Sequence, residues 1–456
     1  MWMFDLLYPS EVSNETSHPL SGMQMTRENS LSKPSASLDY PKSMAVRLRR
    51  VCTILLALLA AASPVLSQPA VGSRDLCSQV PAIAQTLTKI SGMKLLHPVP
   101  CAFITKEKIN QFLKQRVHED ENPEDIRDEE LVLKRFGFVP QDYNLADSTV
   151  DLLTEQAAAF YDYNKKKLFI TETTPSDTQD MVLAHELSHA LADQSFHLAR
   201  YIRQGRKSDD GSTARLAVME GQATWLMSEY LAEKAGKSLK DTPEMVAMMA
   251  SDTENSGSGD YPVFENAPLY LRQTLVFPYT KGMLFQNAVL QRDGEDGFAE
   301  VFRRAPVSTQ QILHPEKYFA KVDPTDPELP NPHLPSSYKP LIGGSLGELE
   351  HTILLEQYAG KETAHDLAPH WRGCNFEMRE DRKAKRDVLL YAVEWDSAEN
   401  ARQYFAAYRK ALEKRWKSFK VASETRDSVS GDGDFGGFEL KLNGTIVTSV
   451  EGFPPR

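Results

Sequence analysis

Asp180-Met-Val-Leu-Ala-His-Glu-Leu-Ser-His-Ala-Leu-Ala-Asp193 is the stretch from which the rest of the chain is best read. Its apolar residues occupy almost every face, the pattern of a helix buried across a domain and not of one lying on a surface. His185 and His189 stand four residues apart, one helical turn with a displacement of about 40°, so their rings converge from a single face. Zinc in hydrolases takes three protein ligands and keeps one position for water, and a carboxylate beside it can accept the proton of that water. Glu186 projects beside the histidine face as that general base. The stretch therefore supplies two ligands and a base, and the third ligand comes from elsewhere.

The metzincin continuation is missing, because position 192 is Ala and position 195 is Ser. Ala217-Val-Met-Glu-Gly-Gln-Ala-Thr224 offers a lone acid, Glu220, within an apolar helix face, and Gly221 and Ala223 permit close helix packing around it. Glu220 is the expected third ligand, with His197 the competing one. Thr224 and Asp193, one turn beyond Glu220 and His189, could hydrogen-bond a ligating imidazole; local backbone capping is the alternative for each. Ser176 and Gln179 form a capping-box pattern that predicts a helix over 177–195. A second helix is predicted over 212–235, with Asp209 and Asp210 at its positive end and Gly236 as its stop. For an oxyanion donor the candidates are Tyr279, expected to begin a helix after Pro278, and His314 before Pro315.

On these residues the chain resembles the gluzincin metallopeptidases, whose thermolysin-like members join His-Glu-x-x-His to a glutamate on the next helix. Closest in pattern is an uncharacterised group of exported bacterial gluzincins with four shared segments, present here as His185–Leu191, Glu220–Ala223, Phe277-Pro-Tyr279 and Leu313-His-Pro-Glu-Lys-Tyr318. The resemblance covers about 157–318. It implies zinc, peptide hydrolysis and a hairpin beside the active helix whose edge strand binds extended substrate. Thermolysin has Asp where this chain has Thr224, which leaves the orientation of His185 by that residue open.

Outward from this centre, 157–173 reads as a β-hairpin turning at Asp162-Tyr-Asn-Lys165. Residues 68–145 form an α+β lead-in with a strand near 98–104, and 146–322 the catalytic domain, with a surface loop expected over 251–267. The run 118–130 is acidic and reads as a solvated face or loop. A proline-dense linker over 323–340 precedes a C-terminal α+β module, 341–456. There a helix around 345–358, strands near 375–379 and 387–394, a helix over 397–416 and a hairpin with an Asn443-Gly444 turn are expected, with binding or packing as the role.

Residues 1–67 carry the address. Arg47, Arg49 and Arg50 precede the apolar run Val51–Ala62, with a cleavage point before Gln68, so 44–67 has signal-peptide form and 1–43 reads as a start placed too early. An exported chain, periplasmic or extracellular, is expected. No later segment is apolar over a bilayer's width, so no stable membrane span is expected in the mature chain. Cys77 and Cys101 could pair in that compartment or stay as buried thiols, with Cys374 left over. A net charge of -11 argues against nucleic acid as a partner.

Together the expectations are an α+β fold, a mainly helical metallopeptidase core with a small sheet beside the active helix, and a Zn2+-dependent hydrolase acting on a peptide or protein. The alternatives are a noncatalytic binding protein on the same scaffold and a zinc hydrolase of another amide or ester.

Overall fold

The structure, a computed structural model, describes residues 76–115, 123–156, 158–172, 174, 178–205, 208–255 and 261–453. The leader expected over 1–67 and the Ser176 half of the capping box lie outside these residues. The longer helices are α1 (Leu76–Ser91), α2 (Lys106–Gln115), α3 (Pro123–Phe136), α4 (Leu145–Gln156), α5 (Gln179–Phe196), α6 (Asp209–Lys234), α7 (Pro243–Asn255), α8 (Leu269–Asp293), α9 (Glu348–Tyr358) and α10 (Ala398–Arg415). Three strands, β1 (Cys101–Ile104), β2 (Ala159–Asp162) and β3 (Lys167–Thr171), form a small sheet in the order β1-β3-β2. A larger antiparallel sheet holds β4 (Lys339–Gly344), β5 (Trp371–Asp381), β6 (Arg386–Trp395), β7 (Phe419–Glu424), β8 (Ser428–Gly433), β9 (Gly436–Asn443) and β10 (Ile446–Phe453), in the order β4-β5-β6-β10-β9-β8-β7. The fold class is α+β.

Helix α5 is the centre of the helical part. Every residue from Met181 to Asp193 is buried, as its all-round apolar pattern requires. It ends at His197, which takes the left-handed conformation at φ 56° and bonds its N–H back to the Asp193 carbonyl. Helix α6 starts where Ser208 Oγ accepts from Gly211 N at 3.1 Å, and Asp209 and Asp210 occupy its first turn. Gly236, at φ +72°, closes it as expected.

Helices α6 and α8 cross at two glycines. A Cβ on Gly221 would stand 2.0 Å from the Gly282 carbonyl carbon, and one on Gly282 would stand 2.1 Å from the Ala217 oxygen. This contact sits one residue from Glu220. Helix α8 also corrects an expectation: Pro278 and Tyr279 lie inside it and do not begin it. A proline within a helix costs about 3 kcal/mol, which the burial of Leu275, Phe277, Phe285 and Val289 on the same helix offsets.

The expected hairpin is β2 and β3, with Asp162 Oδ1 accepting from Asn164 N and Lys165 N in the turn. β1 joins β3 in parallel and is held to α1 by the Cys77–Cys101 disulfide. Two segments differ from expectation. The acidic run becomes α3 from Pro123 onward, with Asp128 and Glu129 buried, because proline suits a first helical turn and acids favour it. The expected loop over 251–267 holds the end of α7 and a turn of helix at Pro262–Glu265.

In the C-terminal part α10 packs on β9 and β10, and its N-cap Ser397 accepts from Asn400 N at 3.2 Å. Ile446 pairs with Asn443, so the two-residue loop is Gly444-Thr445, with Gly444 at φ +61°. Strands β7 and β8 had no expectation attached to them. β7 is a largely exposed edge without the alternation that marks a half-buried strand. The proline-dense segment is fastened to β5: Thr325 N donates to Arg372 O at 2.8 Å, and Asn375 Nδ2 donates to Pro327 O at 3.0 Å. One buried apolar cluster runs from Leu76 to Val447, so this segment divides the sequence and not the core.

Candidate metal centre

His185 and His189 project from α5 toward α6, where Glu220 meets them. His185 Nε2 lies 3.2 Å from Glu220 Oε2, His189 Nε2 lies 3.3 Å from the same oxygen, and the two imidazole nitrogens are 3.2 Å apart. These residues are the cluster of potential metal ligands found among the described residues. All are buried, and Glu220 is fully so. His197, the competing ligand, is exposed at the end of α5 because its left-handed backbone turns the chain out of the helix.

The two histidines and Glu220 are electrostatically coupled. Burial works to raise the Glu220 carboxyl, but the His189 and His185 imidazoles overcome it and leave it below the ordinary carboxylate range. Burial opposes a charged His189, yet Glu220 and Glu186 hold its value above that of a free imidazole. Glu220 Oε1 and His185 Nδ1 are buried with no hydrogen-bond partner among the described residues.

Glu186 is placed beside the cluster and is held by main chain. Its Oε2 accepts from Tyr161 N, on β2, at 2.8 Å. Burial pushes its carboxyl up, against the pull of the two histidines. β2 is the outer strand of its sheet and runs against α5. Ala158 O accepts from Thr171 N, which turns Phe160 toward β3 and Ala159 and Tyr161 outward. The expected strand edge therefore faces the helix that carries Glu186.

The remaining expected site residues fall in three places. Tyr279 is buried beside His185, with ring centroids 6.1 Å apart. Thr224 Oγ1 donates to the Glu220 carbonyl at 2.7 Å, a bond within its own helix, and Asp193 receives Tyr161 Oη at 3.0 Å and Lys166 Nζ at 2.6 Å. Neither side chain is bonded to an imidazole. His314 is away from the cluster: its Nε2 pairs with Glu348 Oε1 at 2.8 Å. The segment carrying it is anchored by Thr309 N on Asp210, at 2.7 Å, about 15 Å along α6 from Glu220 at the helical rise.

Sequence reading missed Tyr161 and Lys166. A backbone N–H carries no residue-type signal, so the Tyr161 amide had nothing by which to be found.

A family model described as "Domain of unknown function (DUF8575)" matches residues 341–456, the C-terminal part beyond the proline-dense segment. No curated protein and no solved structure matches the chain.

Proposed function

We propose that this chain is a zinc-dependent metallopeptidase of gluzincin type, in which His185, His189 and Glu220 hold the ion and Glu186 is the general base. The observation that carries this reading is the ligand triangle, with edges of 3.2, 3.2 and 3.3 Å. Zinc bonds of about 2.0–2.1 Å in a tetrahedron place neighbouring ligand atoms about 3.3–3.4 Å apart. Two imidazoles and a carboxylate are also the donor types that catalytic zinc takes. Zinc, when bound, supplies Lewis acidity that acidifies water and polarises a carbonyl.

The chain's own residues supply the remaining parts of the reaction. Glu186 takes a proton from the attacking water and passes it to the departing amine. Tyr279, buried beside His185, is the candidate donor to the developing oxyanion. Apart from the Tyr161 amide, which Glu186 occupies, the outward groups of β2 suit an extended peptide, whose main chain can pair with a strand edge. Export, to the periplasm or the outside, is part of the proposal and is supported by the Cys77–Cys101 disulfide, since such bonds persist in oxidising compartments.

The test is bound metal together with cleavage of an unbiased peptide pool, measured on the chain and on its Glu186→Gln form. Zinc at one equivalent in both, with cleavage in the first alone, is the expected result. Zinc binding without any Glu186-dependent cleavage would sink the peptidase reading and favour a metal-stabilised binding scaffold.

A further inference from the structure

Tyr161 touches α5 at two places seven residues apart, a span of about 10 Å along the helix. Its amide donates to Glu186 Oε2 at 2.8 Å, and its hydroxyl donates to Asp193 Oδ2 at 3.0 Å. Asp193 is fully buried and is itself held from two further directions, by Lys166 Nζ at 2.6 Å and by Leu198 N on Oδ1 at 3.1 Å. Lys166 sits at the end of the hairpin turn with φ 51°, so the turn, the outer strand and the active helix are fastened into one body. A carboxylate on an unrestrained side chain samples several rotamers, whereas one that accepts a fixed backbone N–H is confined to few.

We propose that Tyr161, Asp193 and Lys166 are positioning residues that staple the hairpin to the active helix and, through the Tyr161 amide, aim the Glu186 carboxylate for proton transfer. The inference rests on the reading of Glu186 as general base. It assigns a specific task to a hairpin that would otherwise only border the cleft. Misplacing a reacting group by about an ångström costs on the order of a hundredfold in rate, and loss of a supporting partner about ten- to a hundredfold.

The experiment compares the full zinc-loaded chain with Tyr161→Phe, Lys166→Met and Lys166→Arg, each retaining the Tyr161-position amide. For each, kcat and KM are measured on one peptide, alongside zinc content and melting temperature; amide hydrogen exchange at position 161 is measured on the zinc-free chain. Tyr161→Phe is expected to lose about tenfold in kcat with KM within about twofold, and Lys166→Met about threefold. Lys166→Arg restores the cation and with it near wild-type kcat. Exchange at position 161 should accelerate in the same order. Because Lys166 is exposed at the hairpin, its pair of variants reads the staple even if Tyr161→Phe folds poorly. Wild-type kcat in both Tyr161→Phe and Lys166→Met, or a loss confined to KM or matched by lost zinc, overturns the proposal. So does equal failure of Lys166→Arg and Lys166→Met. If the wild-type chain shows no Glu186-dependent cleavage, the peptidase reading fails by itself, and unaltered exchange at position 161 is the separate result that removes the staple.

Discussion

At the scale of single residues, the cluster makes a sharp distinction between ligand and bystander. Glu220→Ala removes the only carboxylate of the triangle and is expected to lower zinc affinity by at least about a hundredfold, whereas His197→Ala, at an exposed helix end, keeps it. Competition with a chelator of known affinity reads both; equal affinities in the two variants would refute the ligand set. His351, away from the candidate metal centre, makes a different kind of prediction. Its Nδ1–H donates to the Gly347 carbonyl at 2.7 Å, so its Nε2 accepts from Tyr391 Oη at 2.8 Å, and Tyr404 Oη in turn donates to Tyr391. Burial holds this imidazole down to about 4, from 6.5, with the Gly347 bond acting the other way. A depressed value means that the unfolded chain binds the proton first. Stability from this group is complete above pH 6.5, falls as pH drops through the window from 6.5 to 4, and is lost below it, by about 3 kcal/mol. His351→Gln should flatten the stability curve by that amount across the window in urea titrations, and curves that stay parallel would contradict it. What was legible at this scale was the set of chemically distinctive side chains: His185, Glu186, His189 and Glu220 announce themselves by type and spacing. The partners that hold them were not, because a main-chain amide and a lysine in a turn look like any other.

Helices and strands were legible where a periodic pattern met a recognisable stop. Gly236 and Ser397 marked ends that the structure keeps, while Pro278 was misread because a proline signals a break only when the surrounding helix has little to gain from continuing. The outer strands β7 and β8 carried no alternation to find. Contact between elements was legible in one place, at Gly221, where small residues beside Glu220 pointed to close packing. The partner glycine, Gly282, completes that contact on α8. Gly282→Ala drives a methyl into the Ala217 carbonyl, main chain that cannot rotate away, and should cost about 3 kcal/mol or more, above the usual range for a merely tight core. Because the displaced segment carries Glu220, zinc affinity should fall along with the melting temperature. Gly294→Ala, at φ 63° and ψ -147° with open space around its Cβ position, tests the other cause of glycine's necessity and should cost about 1–3 kcal/mol with unchanged zinc affinity. A Gly282→Ala protein that melted like the wild type would mean that the two helices do not approach as closely as the structure places them.

For the whole molecule, the question is whether residues 341–456 form an independent body. The sequence places a boundary in the proline-dense stretch, and composition alone supports that, since proline removes donors and breaks periodicity. Packing across the boundary is nonetheless extensive. Ser345 N donates to Asp209 at 3.3 Å, Leu349 N donates to Thr309 Oγ1 at 3.3 Å, and His314 pairs with Glu348. On the other side Arg135, from α3, reaches Glu451 O at 2.7 Å and Asp387 at 3.3 Å, and its guanidinium stacks 3.8 Å from the Phe435 ring centroid. Arg135 is 1% exposed, so its charge has been taken out of water, and Asp387 and the Glu451 carbonyl of the C-terminal sheet compensate it. Separating the two parts would leave that charge, and the facing apolar surface, without partners. The expected outcome is a single cooperative unfolding transition for the described region, with calorimetric and van't Hoff enthalpies in agreement. Arg135→Met should lower stability by about 3 kcal/mol, because Asp387 and the Glu451 carbonyl lose their cation while the packing of the side-chain stem is kept. It should do so without splitting the transition. Two resolved transitions in the wild-type chain, one of them unaffected by Arg135→Met and removed by deleting the C-terminal residues, would show that the DUF8575 region folds on its own and that its contacts with the part holding His185, His189 and Glu220 contribute little.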